Sequence, residues 1–143
     1  RINHVVCGHG LAKKIGELEA LPRDVQEILE IDARTNEIGI KVVEEREGTC
    51  THEKQEKEGP PAAEKLLRGI GCPEEVIMRV STLIGRHHTY TNIDGLDCQI
   101  LLEADFLVNI FGLGIKENAV QSFKRKVFKT RSGLHLLNLM YNA

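Results

Sequence analysis

Apolar residues recur at three- and four-residue intervals along most of the chain, and sustained alternation of apolar and polar residues is rare. This periodicity predicts helices rather than strands. Residues 44–58 are strongly charged and contain Gly48 and Thr49, which predicts a long exposed loop. The pattern therefore predicts an all-α fold: one compact helical bundle, residues 1–143, with one charged loop insertion. The expected helices cover residues 3–21, 22–37, 62–70, 73 to about 88, 96–111, 116–128 and 134–141.

Glycine and proline predict several helix boundaries. Gly39 is expected to end the second helix. Pro61 follows Gly59-Pro60 and is expected to open the helix at residues 62–70.

The segment QILLEADFLVNIF, residues 99–111, is apolar on every side of a helical wheel and yet contains Glu103 and Asp105. Such a helix is normally buried, and a buried carboxylate has to be neutral, hydrogen-bonded, paired with a cation or bound to a metal. Glu103 is expected to pair with a surface or half-buried base. Asp105 is either a structural acid, capping a helix or paired with an arginine such as Arg86, or part of a site. The nearby His87-His88 doublet favours a site.

Composition narrows the function classes. The formal net charge is -2, so nothing attracts the whole chain to nucleic acid or to an acidic membrane. No apolar run is long enough to cross a bilayer. The four scattered cysteines are interpreted as reduced thiols, which fits a cytoplasmic protein. A homo-oligomer is left open.

Five basic residues cluster in the C-terminal region, and they favour a solvated helix face, with nucleic-acid binding as the weaker alternative. They are Lys124, Arg125, Lys126, Lys129 and Arg131.

Chemistry-bearing residues follow in a recognisable order: His4, a dipeptide before Ile38-Gly39, RHHT at residues 86–89 and EAD at residues 103–105. With the runs QEKEGPPAA, LIGRHHTYTNIDGLD and QILLEADFLVNIF, nearly the whole chain resembles the HD-domain phosphohydrolase superfamily, and most closely a small bacterial group within it. The resemblance implies an all-α fold and a divalent metal held by a His…His-Asp…Asp set. It also implies hydrolysis of phosphate monoesters or diesters, often of nucleotides.

The chain departs from this pattern at the dipeptide, where Asn36-Glu37 replaces His-Asp. The implied metal ligands are therefore His4, Asn36, Glu37 and Asp105. An amide oxygen is a weak ligand, and oxygen donors suit magnesium or manganese better than zinc, iron or nickel. The expected cofactor is thus Mg²⁺ or Mn²⁺, or no metal at all. Asp32 and Arg34 also stand where the resemblance leads us to expect apolar residues, which favours loss of the site.

The resemblance gives roles to the remaining polar residues. His87 and His88 would bind phosphate, protonate the leaving oxygen or hold a second metal. Lys41 would pair with phosphate, and Arg86 would contact the substrate. Gln55, a further expected substrate contact, lies where several binuclear relatives place a histidine, so a second metal is disfavoured.

Two functions follow from these expectations. The first is metal-dependent hydrolysis of a phosphate ester of a nucleotide or another small metabolite. The alternative is a catalytically impaired HD-fold protein that binds a phosphorylated ligand or a protein partner without metal.

Overall fold

A computed structural model describes residues 2–141, apart from the side chains of residues 112 and 113. The described residues form helices and no strand, which confirms the all-α prediction. Along the described part of the chain, no helix is both long and apolar enough to cross a bilayer. The helices, in chain order, are α1 (Ile2–Leu18), α2 (Arg23–Thr35), α3 (Ile38–Glu47), α4 (His52–Gly69), α5 (Glu74–Ile84), α6 (Leu96–Leu113), α7 (Glu117–Lys126) and α8 (Arg131–Tyr141).

The predicted charged loop at residues 44–58 is wrong for most of its length. Helix α3 continues to Glu47, and α4 begins at His52, so only residues 48–51 connect them. Gly48 has a φ of 86° and caps α3 in the left-handed region that glycine adopts without strain. The charged side chains lie on exposed helix faces, where Lys54 forms an ion pair with Glu47. The high charge of residues 44–58 therefore reflects helix surfaces that face solvent rather than a loop.

The prediction that Pro61 opens a new helix is also wrong, because α4 runs through both Pro60 and Pro61. A residue before proline normally avoids the helical region because its Cβ meets the proline ring. Gly59 has no Cβ and therefore avoids that clash in front of Pro60. The helix begins instead at His52, directly after its N-cap residue Thr51, whose hydroxyl accepts a hydrogen bond from the backbone N–H of Lys54 at 3.2 Å.

The described chain divides into two compact units. Unit 1 contains the residues up to Glu30 together with those from Asn92 onward, and unit 2 runs from Ile31 to Thr91.

In unit 2, α4 packs against both α3 and α5. Gly39, predicted to end a helix, lies inside α3 at a close helix approach: a Cβ there would be 2.7 Å from Cα of Gly59. The missing side chain lets two backbones meet.

In unit 1, α1 packs on α6, and α8 contacts both of these helices. Glu103 of α6 is fully buried, and its partners differ from the expected base. Its Oε2 accepts backbone N–H groups of Lys129 and Thr130, each at 3.0 Å, and the Thr130 hydroxyl donates to Oε1 at 2.6 Å. The side-chain amide of Gln99 completes the set at 2.6 Å. The carboxylate thus accepts hydrogen bonds from backbone N–H groups just before α8. The N–H groups at the start of a helix have no carbonyl partner within the helix.

Candidate functional site

Helices α1 and α6 bring together two of the predicted metal ligands within unit 1. Nε2 of His4 lies 3.2 Å from Oδ1 of Asp105, although 101 residues separate them in the sequence. The His4 side chain is 30% exposed and that of Asp105 12%, so the pair is partly accessible to solvent. Two donors that bind one ion at about 2.1 Å lie roughly 3.0–3.4 Å apart in octahedral or tetrahedral geometry. The observed distance fits that arrangement.

Asn109, one helical turn after Asp105, holds the other carboxylate oxygen. Its Nδ2 donates to Oδ2 of Asp105 at 3.2 Å. A carboxylate held on one oxygen presents the other in a defined direction, as the outer partners of metal ligands do. Sequence reasoning missed Asn109, although the four-residue spacing to Asp105 on a predicted helix was the signal that could have identified it.

The predicted His87-His88 doublet lies in unit 2, in the turn that follows α5. The backbone N–H of His88 donates to Oε2 of Glu56 at 3.0 Å, and the Thr89 hydroxyl donates to the same oxygen at 2.8 Å. One carboxylate of α4 therefore fixes the backbone of the turn. The two histidine rings meet edge to face, with their centroids 4.6 Å apart.

Gln55, predicted to contact substrate, is 2% exposed, and both ends of its side-chain amide contact protein groups. Its Nε2 donates to the backbone carbonyl of Asn36 at 3.2 Å, and its Oε1 lies 2.5 Å from Nε2 of His88. Asn36 therefore takes part in unit 2 through its backbone. The assignment of the Asn36 side chain as a metal ligand stays a prediction.

A histidine outside the predicted set joins this cluster. The ring of His52, in the first turn of α4, stacks on His88 with centroids 3.7 Å apart and an angle of 4° between the planes. Sequence reasoning placed His52 on a loop. Once residues 52–56 are helical, the spacing of His52 from Gln55 and Glu56 puts all three on one helix face.

The other predicted site residues occupy different surroundings in unit 2. Glu37 immediately precedes α3. Lys41 is 76% exposed and lies 4.0 Å from Oε1 of Glu45, one turn further along α3. Arg86 donates from its guanidinium to the Thr91 carbonyl at 2.6 Å. Exposure leaves Lys41 accessible to an anion in solution.

A second histidine–carboxylate pair in unit 1 lies outside the predicted site. Nε2 of His9 is 3.3 Å from Oε1 of Glu30, and the amide of Gln26 donates to Oε2 at 2.9 Å. Burial alone raises the pKa of Glu30, but the hydrogen bonds from Gln26 and His9, together with the charge interactions with His9 and Lys13, outweigh it, and the net shift of the pKa is downward. The pair closely matches His4 and Asp105 in chemistry and distance and therefore provides a control for them.

Among residues 2–141, no three His, Cys, Asp or Glu side chains form a group that could hold a metal ion. The described contacts join His4 with Asp105 in unit 1 and Gln55, His87 and His88 in unit 2. The full ligand set thus stays a prediction of the sequence.

Comparisons with protein-family models, with curated proteins and with solved structures each gave no match. The likeness to HD-domain phosphohydrolases accordingly rests on the sequence runs described above.

Proposed function

We propose that the protein is a cytoplasmic, metal-dependent phosphohydrolase of the HD-domain type that acts on a phosphate ester of a nucleotide or another small metabolite. The observation that carries this proposal is the 3.2 Å approach of His4 Nε2 to Asp105 Oδ1. Both residues come from the motifs of the resemblance, and their helices pack together in unit 1. The sequence motifs singled out these two residues without any information on the distance between them. The packing of α1 on α6 brings them into contact.

The proposed donors are of the kinds that bind divalent ions in proteins. His4 and Asp105 would hold it through one imidazole nitrogen and one carboxylate oxygen, while Asn109 orients the carboxylate. The resemblance adds Glu37 and Asn36 as oxygen donors, and a set richer in oxygen than in nitrogen favours Mg²⁺ or Mn²⁺. When bound, such an ion would polarise a phosphoryl oxygen as a Lewis acid and would lower the pKa of a water molecule.

The histidine doublet and the exposed lysine supply the remaining chemistry. His87 and His88 would contact phosphate or protonate the leaving oxygen, which is general acid catalysis by the side chain that most often performs it. Lys41 and Arg86 would contribute positive charge toward an anionic substrate.

The proposal is tested by elemental analysis of protein purified without chelator, followed by a panel of phosphate esters with added Mg²⁺ or Mn²⁺. We expect metal-dependent turnover that falls by at least about 100-fold in His4→Ala and Asp105→Ala, the scale of losing one metal ligand or orienting group. The matched control is His9→Ala, which removes a histidine of the same helix from a similar carboxylate contact. It should leave turnover unchanged.

A second experiment restores the dipeptide of the resemblance. The double substitution Asn36→His with Glu37→Asp should raise metal affinity, because imidazole replaces a weak amide ligand. Absence of bound metal and of turnover with every ion would contradict the enzymatic proposal. A phosphorylated ligand that still binds under those conditions would support the metal-free binding protein instead.

A further inference from the structure

The orientation of the Gln55 side chain is fixed by what its two ends meet. The Asn36 carbonyl can only accept a hydrogen bond, so the Gln55 Nε2, at 3.2 Å, has to face it. The amide oxygen then faces Nε2 of His88 at 2.5 Å. Reversing the amide would set two carbonyl oxygens against each other.

This orientation determines where His88 carries its hydrogen. A carbonyl oxygen has no hydrogen to donate, so Nε2 of His88 has to be the donor in the contact with Gln55. In the neutral ring the hydrogen is therefore on Nε2, and the lone pair is on Nδ1. Nδ1, the ring nitrogen left to accept a proton or an ion, is itself a buried atom.

Three residues on one face of α4 hold the same histidine from three directions. Gln55 contacts the ring edge, His52 stacks on the ring face, and Glu56 accepts the backbone N–H. Packing and hydrogen bonds that restrict one side chain this fully are what a preorganised site requires.

We propose that Gln55 and His52 are positioning residues of the His87-His88 doublet, with Gln55 placing the hydrogen of His88 on Nε2 and His52 fixing the ring plane. The catalytic consequence rests on the proposed function, whereas the hydrogen position does not.

The test is nitrogen-15 NMR of histidine-labelled protein at a pH where His88 is neutral, with its signals assigned through their loss in His88→Phe. We expect an Nε2–H form with a ring hydrogen protected from exchange with water. Gln55→Met keeps the length of the side chain but removes the acceptor, so the protected signal should disappear. The position of the hydrogen is also read directly from the spectrum of the unaltered protein, so it stays testable even where the methionine variant does not fold. Gln121→Met, in unit 1, is the matched control and should change nothing.

His52 is tested by exchange of the same hydrogen. His52→Ala should speed exchange about two- to tenfold, the range that the energy of one ring pair converts to. His52→Phe should restore slow exchange, because a phenyl ring can stack in the same way. An Nδ1–H form in the unaltered protein, or a protected signal that survives Gln55→Met, would overturn the proposal.

Activity separates this inference from the proposed function. If both hold, Gln55→Met lowers kcat with KM nearly constant. If only the proposed function fails, turnover is absent while the Nε2 hydrogen stays protected. If only this inference fails, turnover is present without that signal.

Discussion

Oε1 of Glu103 occupies the space in which a side chain at Gly133 would begin: a Cβ added to Gly133 would lie 1.8 Å from that oxygen. The glycine is in the first turn of α8, and its backbone N–H donates to the Thr130 hydroxyl at 2.9 Å. The carboxylate and the start of the helix are therefore built around the absence of one methyl group.

Gly133→Ala should lower the free energy of unfolding by about 3 kcal/mol, because either the carboxylate or the helix has to move and the hydrogen bonds at Glu103 are lost. Chemical denaturation measures the change. Gly8→Ala is the matched control, since a Cβ on Gly8 meets nothing within 4 Å of its position in α1. That substitution should stabilise the protein by about 0.5–1 kcal/mol. Equal effects from the two alanines would contradict this role of Gly133.

Glu103→Gln should destabilise the protein by about 2 kcal/mol, because an amide nitrogen then faces a donor and cannot accept. Glu103→Ala should cost more, since it leaves a cavity as well as unpaired donors. Thermal unfolding ranks the two variants. Glu17→Gln, which removes an exposed charge paired with Lys13 at 3.0 Å, should change stability far less than either substitution at Glu103.

The two glycines between α3 and α4 should respond unequally to alanine. A Cβ on Gly39 would lie 2.7 Å from backbone atoms of Gly59, whereas a Cβ on Gly59 would lie 2.6 Å from a methyl group of Ile84. A side-chain methyl can rotate away more easily than a backbone can move. Gly39→Ala should therefore cost about 2–3 kcal/mol and Gly59→Ala less, as measured by denaturant unfolding. The reverse order would show that α3 can shift along α4.

Glu30 should make stability depend on pH. Because its pKa is lower in the folded chain, its contribution is complete above the unfolded pKa and disappears as pH falls through the folded pKa. Glu30→Gln should therefore lose about 1 kcal/mol at neutral pH, and the difference from the unaltered protein should shrink in acid. Unfolding curves from strongly acidic to neutral pH measure this, with Glu27→Gln as an exposed control. A difference that stays constant across that range would contradict the expected lower pKa.

The sequence located most of the helices because their apolar residues recur at helical spacing, as in α5, or because the whole segment is apolar and long, as in α6. The prediction failed at residues 52–61, because a high density of charge and two adjacent prolines are also typical of loops. The missing information was tertiary: Gly59 both precedes a proline and touches α3, so the same absent Cβ serves two purposes.

The candidate site divides in a similar way. The motifs selected His4 and Asp105, but only packing shows that they touch. The resemblance placed Gln55 at a substrate, but the sequence could not show that its amide contacts the Asn36 carbonyl and the His88 ring. The role of Glu103 depended on donors 26 and 27 residues further along, which no local pattern reveals.

The prolines in α4 have a consequence for how long His88 stays in place. Pro60 and Pro61 have no N–H, so the carbonyls of Glu56 and Lys57 lack their usual helical donors four residues on. The first two turns of α4, which hold His88, are thus joined to the rest of the helix by fewer hydrogen bonds. Such a segment can open by itself, at a free energy well below that of global unfolding. Local opening of this helix end would release His88 without unfolding the rest of the chain.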